Sequence, residues 1–309
     1  MINKSIKNGH HSRLNQQVKG GFDFYTIAGI IITLFLWASA FAGIRSALQS
    51  YSPGHLVLLR FLIASLVLFF YSVIRRMPLP QKKDIPGIMA LGFLGVTIYH
   101  TGLTFGEQSV TAGSASLLIA TSPIFTAIFA RYFLGEKLKW IGWIGIGMSF
   151  LGTGLVAMGE GGGISINPGS LLILLAAFST SLYFIFQKKY LQRYSAIQMA
   201  TFTIWSGTIF MLIFSPNLTQ AIMNANRVDT LAVIYLGIFP AAIAYMSWMY
   251  VLSRIPASQA ASFLYLSPVL ALLIAWVWLK EIPVFLAILG GIFLLIGVIL
   301  VNTWGRTSS

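Results

Sequence analysis

The distribution of charge along this chain limits its folding more than any other feature. Ten apolar stretches succeed one another at about 24–44, 54–74, 86–105, 110–133, 139–158, 169–187, 195–214, 230–250, 256–279 and 283–303. Each has roughly the 17–25 residues that a bilayer-crossing helix needs. Connections are short and rich in turn residues, as in Met77-Pro78-Leu79-Pro80 and Gly159-Glu160-Gly161-Gly162-Gly163. Hydrophobic residues make up 57% of the 309 and charged residues only 9%, against about 25% charge in soluble domains. No ordinary water-facing surface can be built from this chain. Disorder is excluded by the apolar content, and a collagen-like rod by the absence of a glycine period. The expected fold is an all-α membrane protein of ten transmembrane helices. Cysteine is absent, which removes disulfides, thiolate metal sites and cysteine nucleophiles.

The basic residues orient the chain. With the N-terminus inside, 16 Lys and Arg lie in inner segments, 3 (Arg45, Arg227, Lys280) in outer ones, and Arg60 within a span. Cytoplasmic loops carry this excess, so both termini are expected in the cytoplasm of a bacterial plasma membrane. The bias also accounts for the net charge of +13 without nucleic acid as a partner. A cleavable leader ending near Ala38-Ser39-Ala40 is set aside, because the apolar run continues beyond those small residues. Trp140, Trp143 and Trp304 near inner ends, with Trp276 and Trp278 near an outer end, fit headgroup-level belts.

Shifted by 145 positions, Gly92–Val156 matches Gly237–Val301 without a gap. Ser122-Pro123 meets Ser267-Pro268, Glu136 meets Glu281, Gly145 meets Gly290 and Gly152 meets Gly297. Earlier in the chain the shift is 143, and Tyr51-Ser52 meets Tyr194-Ser195. The implied organisation is a tail (1–23), a five-helix repeat (24–158), an external loop (159–168), a second five-helix repeat (169–303) and a cytoplasmic tail (304–309). An odd number of helices per repeat forces the second to enter from the opposite side. Such inverted repeats serve alternating access.

The residues Leu36-Trp37-Ala38-Ser39-Ala40-Phe41, Arg60, Ala115-Ser116-Leu117-Leu118, Thr121-Ser122-Pro123, Leu134-Gly135-Glu136-Lys137-Leu138 and Leu279-Lys280-Glu281 resemble the EamA family of the drug/metabolite transporter superfamily. The similarity runs over about 24–303. It implies a ten-helix fold with a central cavity and export of amino acids or related small metabolites.

The acids all fall in tails, loops or helix ends, so a span carboxylate of the kind used in proton relays is not expected. Metal, cofactor and catalytic residues are expected to be absent. His10, His11, His55 and His100 do not cluster, and no buried Ser-His-acid set is available. Arg60 admits two readings, a cation snorkelling to the headgroups or a gating or carboxylate-binding group facing the bundle. His100 is expected to be a neutral imidazole hydrogen-bonded to a neighbouring helix, ahead of a titrating role. Glu107 is expected to be a solvated cap, with an outer gate second. Pro123 and Pro268 lie near mid-span and should kink their helices, making a hinge pair beside the substrate site, with Glu136 and Glu281 thirteen residues beyond the prolines. Around the kinks, Trp37, Phe41, Tyr99, Tyr183 and Tyr265 offer ring faces to substrate. Ser39, Ser114, Ser122, Gln259 and Ser267, with His100, offer hydrogen bonds.

Gly142, Gly145, Ser149 and Gly152 form one small-residue face on helix five, partly repeated by Ala287, Gly290 and Gly297 on helix ten. Scaffold packing or a homodimer surface is expected there. The function expected is small-metabolite export by alternating access, with a small-molecule substrate and the lipid bilayer as partners. Alternatives are a phosphorylated-metabolite antiporter, which needs several cavity cations, an intramembrane enzyme and a passive channel.

Overall fold

In the computed structural model, residues 23–133, 139–160, 167–254 and 263–304 are described, and no strand occurs among them. The helices are α1 (Phe24–Ala47), α2 (Pro53–Ile74), α3 (Ile85–Gly92), α4 (Tyr99–Gly106), α5 (Ala112–Ile119), α6 (Ser122–Phe133), α7 (Trp140–Glu160), α8 (Pro168–Phe186), α9 (Ala196–Met211), α10 (Leu218–Asn224), α11 (Arg227–Ile238), α12 (Ala244–Arg254), α13 (Ser267–Leu279) and α14 (Phe285–Thr303). Their starts follow local chemistry. Asp23 accepts from the Thr26 N–H (2.8 Å) ahead of α1. Ser52 precedes Pro53, Asn167 precedes Pro168, and Ser195 with Gln198 closes a reciprocal capping box on α9. Each cap satisfies N–H groups that a helix start leaves open, and proline in a first turn sacrifices no bond.

Among the described residues, eight stretches are long and apolar enough to cross a membrane: Phe24–Ala47, Pro53–Ile74, Lys82–Gly106, Ala112–Phe129, Trp140–Gly159, Pro168–Lys189, Ala196–Phe214 and Arg227–Val251. Ser267–Leu279 and Phe285–Val301 are shorter apolar helices. The expected ninth span begins within 255–262, outside the described residues, so α13 represents only its later part.

The serine-proline pairs do not bend continuous helices. α5 ends at Ile119, a turn carries Ala120 and Thr121, and α6 begins at Ser122 with Pro123 in its first turn. Ser267-Pro268 likewise open α13, after a 3₁₀ turn over Leu264–Leu266. Each proline starts a helical segment instead of kinking one, because its missing N–H costs nothing there. The backbone is satisfied locally: Ser122 Oγ donates to the Ile119 carbonyl (2.8 Å), and Ser181 Oγ donates to the Ser122 carbonyl (2.9 Å).

Two further irregularities have no counterpart in the sequence reading. Phe93–Ile98 joins α3 to α4 as a π-helical segment, and Phe239–Ile243 joins α11 to α12 in the same way. The shift of 145 superposes them, bringing Gly95 onto Pro240 and His100 onto Tyr245. Tyr183 of α8 covers the first: a methyl added to Gly95 would stand 2.5 Å from its ring. Trp37 of α1 covers the second, donating from Nε1 to the Pro240 carbonyl (3.2 Å).

α7 and α14 pack face to face along their glycines. Cβ atoms built on Gly145 and Gly290 would stand 2.7 Å from the Gly297 carbonyl oxygen and 2.5 Å from that of Gly152. Ser149 Oγ donates to the Leu294 carbonyl (3.1 Å) between them. The small-residue faces therefore meet within one chain. The largest buried cluster joins α1, α2, α5, α8, α11 and α13 through residues such as Phe41, Ile44, Leu56, Leu118, Ile173, Leu236 and Ala271. Trp140, Trp143, Trp276, Trp278 and Trp304 are exposed, as belt residues in a bilayer would be.

Candidate functional site

Arg60, one helical turn and more inside α2, is 4% exposed. It does not snorkel. Its Nε and Nη1 have no hydrogen-bond partner among the described residues, and its Cζ lies 5.3 Å from the Phe61 ring centroid. The Phe61 ring is 4.4 Å from that of His100, which is 4.5 Å from Tyr99. His100 is also buried, and neither ring nitrogen has a partner. The expected hydrogen bond from a neighbouring helix is absent, because the residues packed on the imidazole are aromatic.

Glu107 corrects the sequence reading further. It is 0% exposed, and neither carboxylate oxygen has a hydrogen-bond partner among the described residues. A solvated cap would have been open to water. Glu107 is instead covered by Arg45, whose Nη1 donates to the Glu107 and Gln108 carbonyls and whose Nε stands 3.4 Å from Glu281 Oε1. Glu281 Oε2 also accepts from the Ala112 N–H (2.9 Å). Arg45 and Glu281 thus tie the end of α1 to the start of α5 and to the connection after α13. Burial, with Glu281 nearby, pushes the Glu107 carboxyl well above the usual carboxylate range, against the opposing pull of Arg45 and Arg60. A buried carboxyl is therefore present at a helix end, one residue beyond the span Lys82–Gly106.

His100 and Glu107 are seven residues apart, two turns along one face, and that face meets α2. Arg60 lies within electrostatic reach of Tyr99, Glu107 and Tyr245. Two helices, α2 and α4, so bring a guanidinium, an imidazole and a carboxyl into one buried region. Each orphaned buried polar atom costs about 1–3 kcal/mol, and intramembrane ionisable groups are functional by default. The arrangement can take a molecule bearing both an anionic and a hydrogen-bonding or cationic end, with ring faces for its apolar part.

The other expected site residues distribute unevenly. Trp37 borders this region, 5.5 Å from the ring centroids of Tyr245 and Trp248. Ser39 is buried and shares a 2.6 Å hydrogen bond with the Tyr235 hydroxyl. Phe41 lies in the main core. Ser114 is fully buried with an unpartnered Oγ. Tyr183 sits against Gly95, near Phe202 and Trp205. Ser122 bonds its own helix turn, Ser267 is half-buried, and Pro268 is buried. Gln259, Glu136 and the side chain of Tyr265 lie outside the described residues. Tyr245 was missed by sequence reasoning; the repeat shift that pairs it with His100 was the available signal. A cavity of about 620 Å³ runs between α2 and α9, and none of the expected site residues lines it.

Comparison with known proteins agrees with this architecture. The EamA-like transporter family pattern matches residues 24–158 and again 167–303. The chain is 49% identical over 263 residues to the Bacillus subtilis protein named "Uncharacterized transporter YdfC", covering 85% of this chain and 86% of that one. It is 35% identical over 279 residues to a Streptantibioticus cattleyicolor protein named "Probable terminal-alkyne amino-acid exporter", covering 90% and 94%. A solved crystal structure shares the fold at 20% identity, with a TM-score of 0.61 over 92% of this chain and 99% of that one. The chain belongs to the EamA-like transporter family and is a multi-pass membrane transporter.

Proposed function

We propose that this transporter exports amino acids or closely related small metabolites by alternating access. The observation that carries the reading is the buried set of Arg60, His100 and Glu107, unpartnered in the bundle. Arg60 would hold a carboxylate, His100 and Glu107 would meet a polar or ammonium end, and Trp37, Tyr99 and Tyr245 would face the side chain. The exporter name of the Streptantibioticus relative is consistent with that substrate class. Among the described residues Arg60 is the guanidinium inside this region, and Arg45 at its edge is already paired with Glu281, which argues against a phosphorylated substrate that needs several cavity cations.

The mechanism rests on ten spans in two inverted five-helix repeats, with N- and C-termini in the cytoplasm of a bacterial plasma membrane. Repeat-equivalent contacts support this. Gly145 opposite Gly297 maps onto Gly290 opposite Gly152 under the shift of 145. Tyr183 on the first π segment parallels Trp37 on the second. Asp84 binds Arg193 (2.9 Å) and Tyr194 (2.8 Å), while its equivalent Asp229 binds Ser50, beside a 2.8 Å bond from Tyr51 to Thr230. The breaks at Ser122-Pro123 and Ser267-Pro268 would let half-helices pivot, with Glu281 and Glu136 as latches at opposite ends. A homodimer through α7 and α14 would have to use faces other than their glycines.

The test is efflux. Cells overproducing the protein should gain resistance to toxic amino-acid analogues and should release preloaded labelled amino acid faster than cells carrying Arg60→Gln. Equal release from both would discard the site. Reporter fusions at residues 20, 78–82 and the C-terminus should read as cytoplasmic, and those at 160–165 as external; a cytoplasmic signal at 160–165 would discard the inverted repeat.

A further inference from the structure

The cavity between α2 and α9 has a different chemistry from the buried site. Its wall is formed by Leu62, Leu66, Phe69, Val73 and Trp205. Polar groups along it are already bonded. Ser65 Oγ pairs with Thr208 Oγ1 (2.9 Å), Trp205 Nε1 donates to the Ser65 carbonyl (3.2 Å), and Ser72 Oγ donates to the Phe69 carbonyl (2.8 Å). The wall is thus mainly apolar, with its indole N–H and both hydroxyls already engaged in the bundle. From Leu62 to Val73 the helix rises about 16 Å, a length suited to a lipid tail.

The end of the groove is basic. Arg76 lines it, and Met77 continues it into a second hollow of about 400 Å³ that holds Tyr71, Arg75, Ser195 and Gln198. Arg75 and Arg76 are exposed, and no ion pair to either is recorded among the described residues. The nearby acid, Asp84, is held by Arg193 and Tyr194. Arg76 occupies a left-handed backbone conformation (φ 47°), secured by the Met77 N–H bond to the Ser72 carbonyl (2.9 Å). Glycine fills such a C-terminal position at least cost; here the position carries a cation to the mouth of the groove.

We propose that this groove binds one anionic phospholipid, with an acyl chain along the α2–α9 wall and the phosphate between Arg75 and Arg76. Basic pockets between membrane helices at headgroup level select anionic lipids, and the apolar wall excludes a free phosphate as the whole ligand.

The purified full-length protein in zwitterionic detergent is titrated with phosphatidylglycerol brominated on its acyl chains, which quenches tryptophan on contact. A saturable quenching component is expected, absent in Trp205→Phe and at least about tenfold weaker with brominated phosphatidylcholine. Arg75→Gln with Arg76→Gln should bring the two lipids to equal affinity, and high salt should do the same on the unaltered protein, which covers a variant that fails to fold. Glycerol phosphate at concentrations no higher than the lipid should leave the quenching unchanged, since it has no acyl chain for the wall to hold. Equal titration by the two lipids in the unaltered protein, a component that persists in Trp205→Phe, or displacement by glycerol phosphate would each overturn the proposal.

Discussion

Gly145 approaches Gly297 so closely that a methyl group on the first would stand 2.7 Å from the carbonyl oxygen of the second. Real Cβ contacts at that distance essentially never occur, and backbone on the far side cannot swing away as a side chain could. Gly145→Leu and Gly290→Leu should therefore reduce membrane-assembled protein severalfold, read as monodisperse yield after detergent extraction. Gly147→Leu and Gly154→Leu lie on the same helix with nothing within 4 Å of the added atom. They should leave yield unchanged, which separates a packing defect from a general effect of leucine on α7.

Arg60→Gln should cut amino-acid efflux at least tenfold with normal insertion, since it removes the cation and keeps a polar amide on the same stem. Arg60→Lys should recover only part of the rate, because an ammonium lacks the planar fork that grips a carboxylate. Full activity in Arg60→Gln would return this residue to a packing role.

The pH response of stability should be set in part by Glu107. Its carboxyl is raised in the folded protein, so the folded chain keeps a proton that the unfolded chain releases above about 4.3. The contribution to stability is then full below that value and falls as pH rises toward the folded value. Glu107→Gln carries no such penalty. Thermal unfolding in detergent should show its advantage over the native protein growing from pH 5 to pH 8; a constant offset would contradict the raised carboxyl.

Arg45 should act as the cover of the buried region. In a chain that lacks cysteine, Ser114→Cys should resist a membrane-impermeant thiol reagent, since Ser114 is fully buried. Adding Arg45→Ala should speed its labelling about tenfold or more, as the tie between Glu281, Gln108 and α1 is lost. Unaltered labelling would mean that closure at this end does not depend on Arg45.

Cysteines placed singly at 37, 122, 183 and 267 give a direct view of substrate contact. Substrate should protect positions 37 and 183, whose side chains sit on the two π segments, and those beside the helix breaks. A cysteine at 145, within the glycine interface, should be indifferent to substrate. Lack of reaction at 122 and 267 in every condition would make the breaks packing features.

Much of this architecture could be read from residue order. The apolar runs and caps such as Ser52-Pro53 and Ser195/Gln198 mark where helices start, and Arg60 stands out because charge in a span is costly. Depth was harder to read. Glu107 looks terminal along its helix, yet it is fully buried, and Arg45, 62 positions away, bonds its carbonyl. His100 seemed to need a polar neighbour, but its neighbours on α2 and α4 are rings. The π segments escaped notice because an extra residue per turn leaves hydropathy unchanged, and only Gly95 and Pro240 hint at them.

Those two segments make the transporter tolerant of length at two places and at no others nearby. Successive residues of an α-helix are about 100° apart around the axis, and a π turn takes up about one residue more than an α turn. Losing one residue from Phe93–Ile98 would let the segment relax to an ordinary α turn and leave α4 facing as before, with His100 and Glu107 still toward Arg60. The same deletion near Pro240 would spare the facing of Tyr245 in the other repeat. A residue lost from α4 itself, between His100 and Glu107, has no π turn to absorb it. It would turn Glu107 by about 100° from the face that it shares with His100, while the chain kept nearly its full hydrophobicity and still inserted.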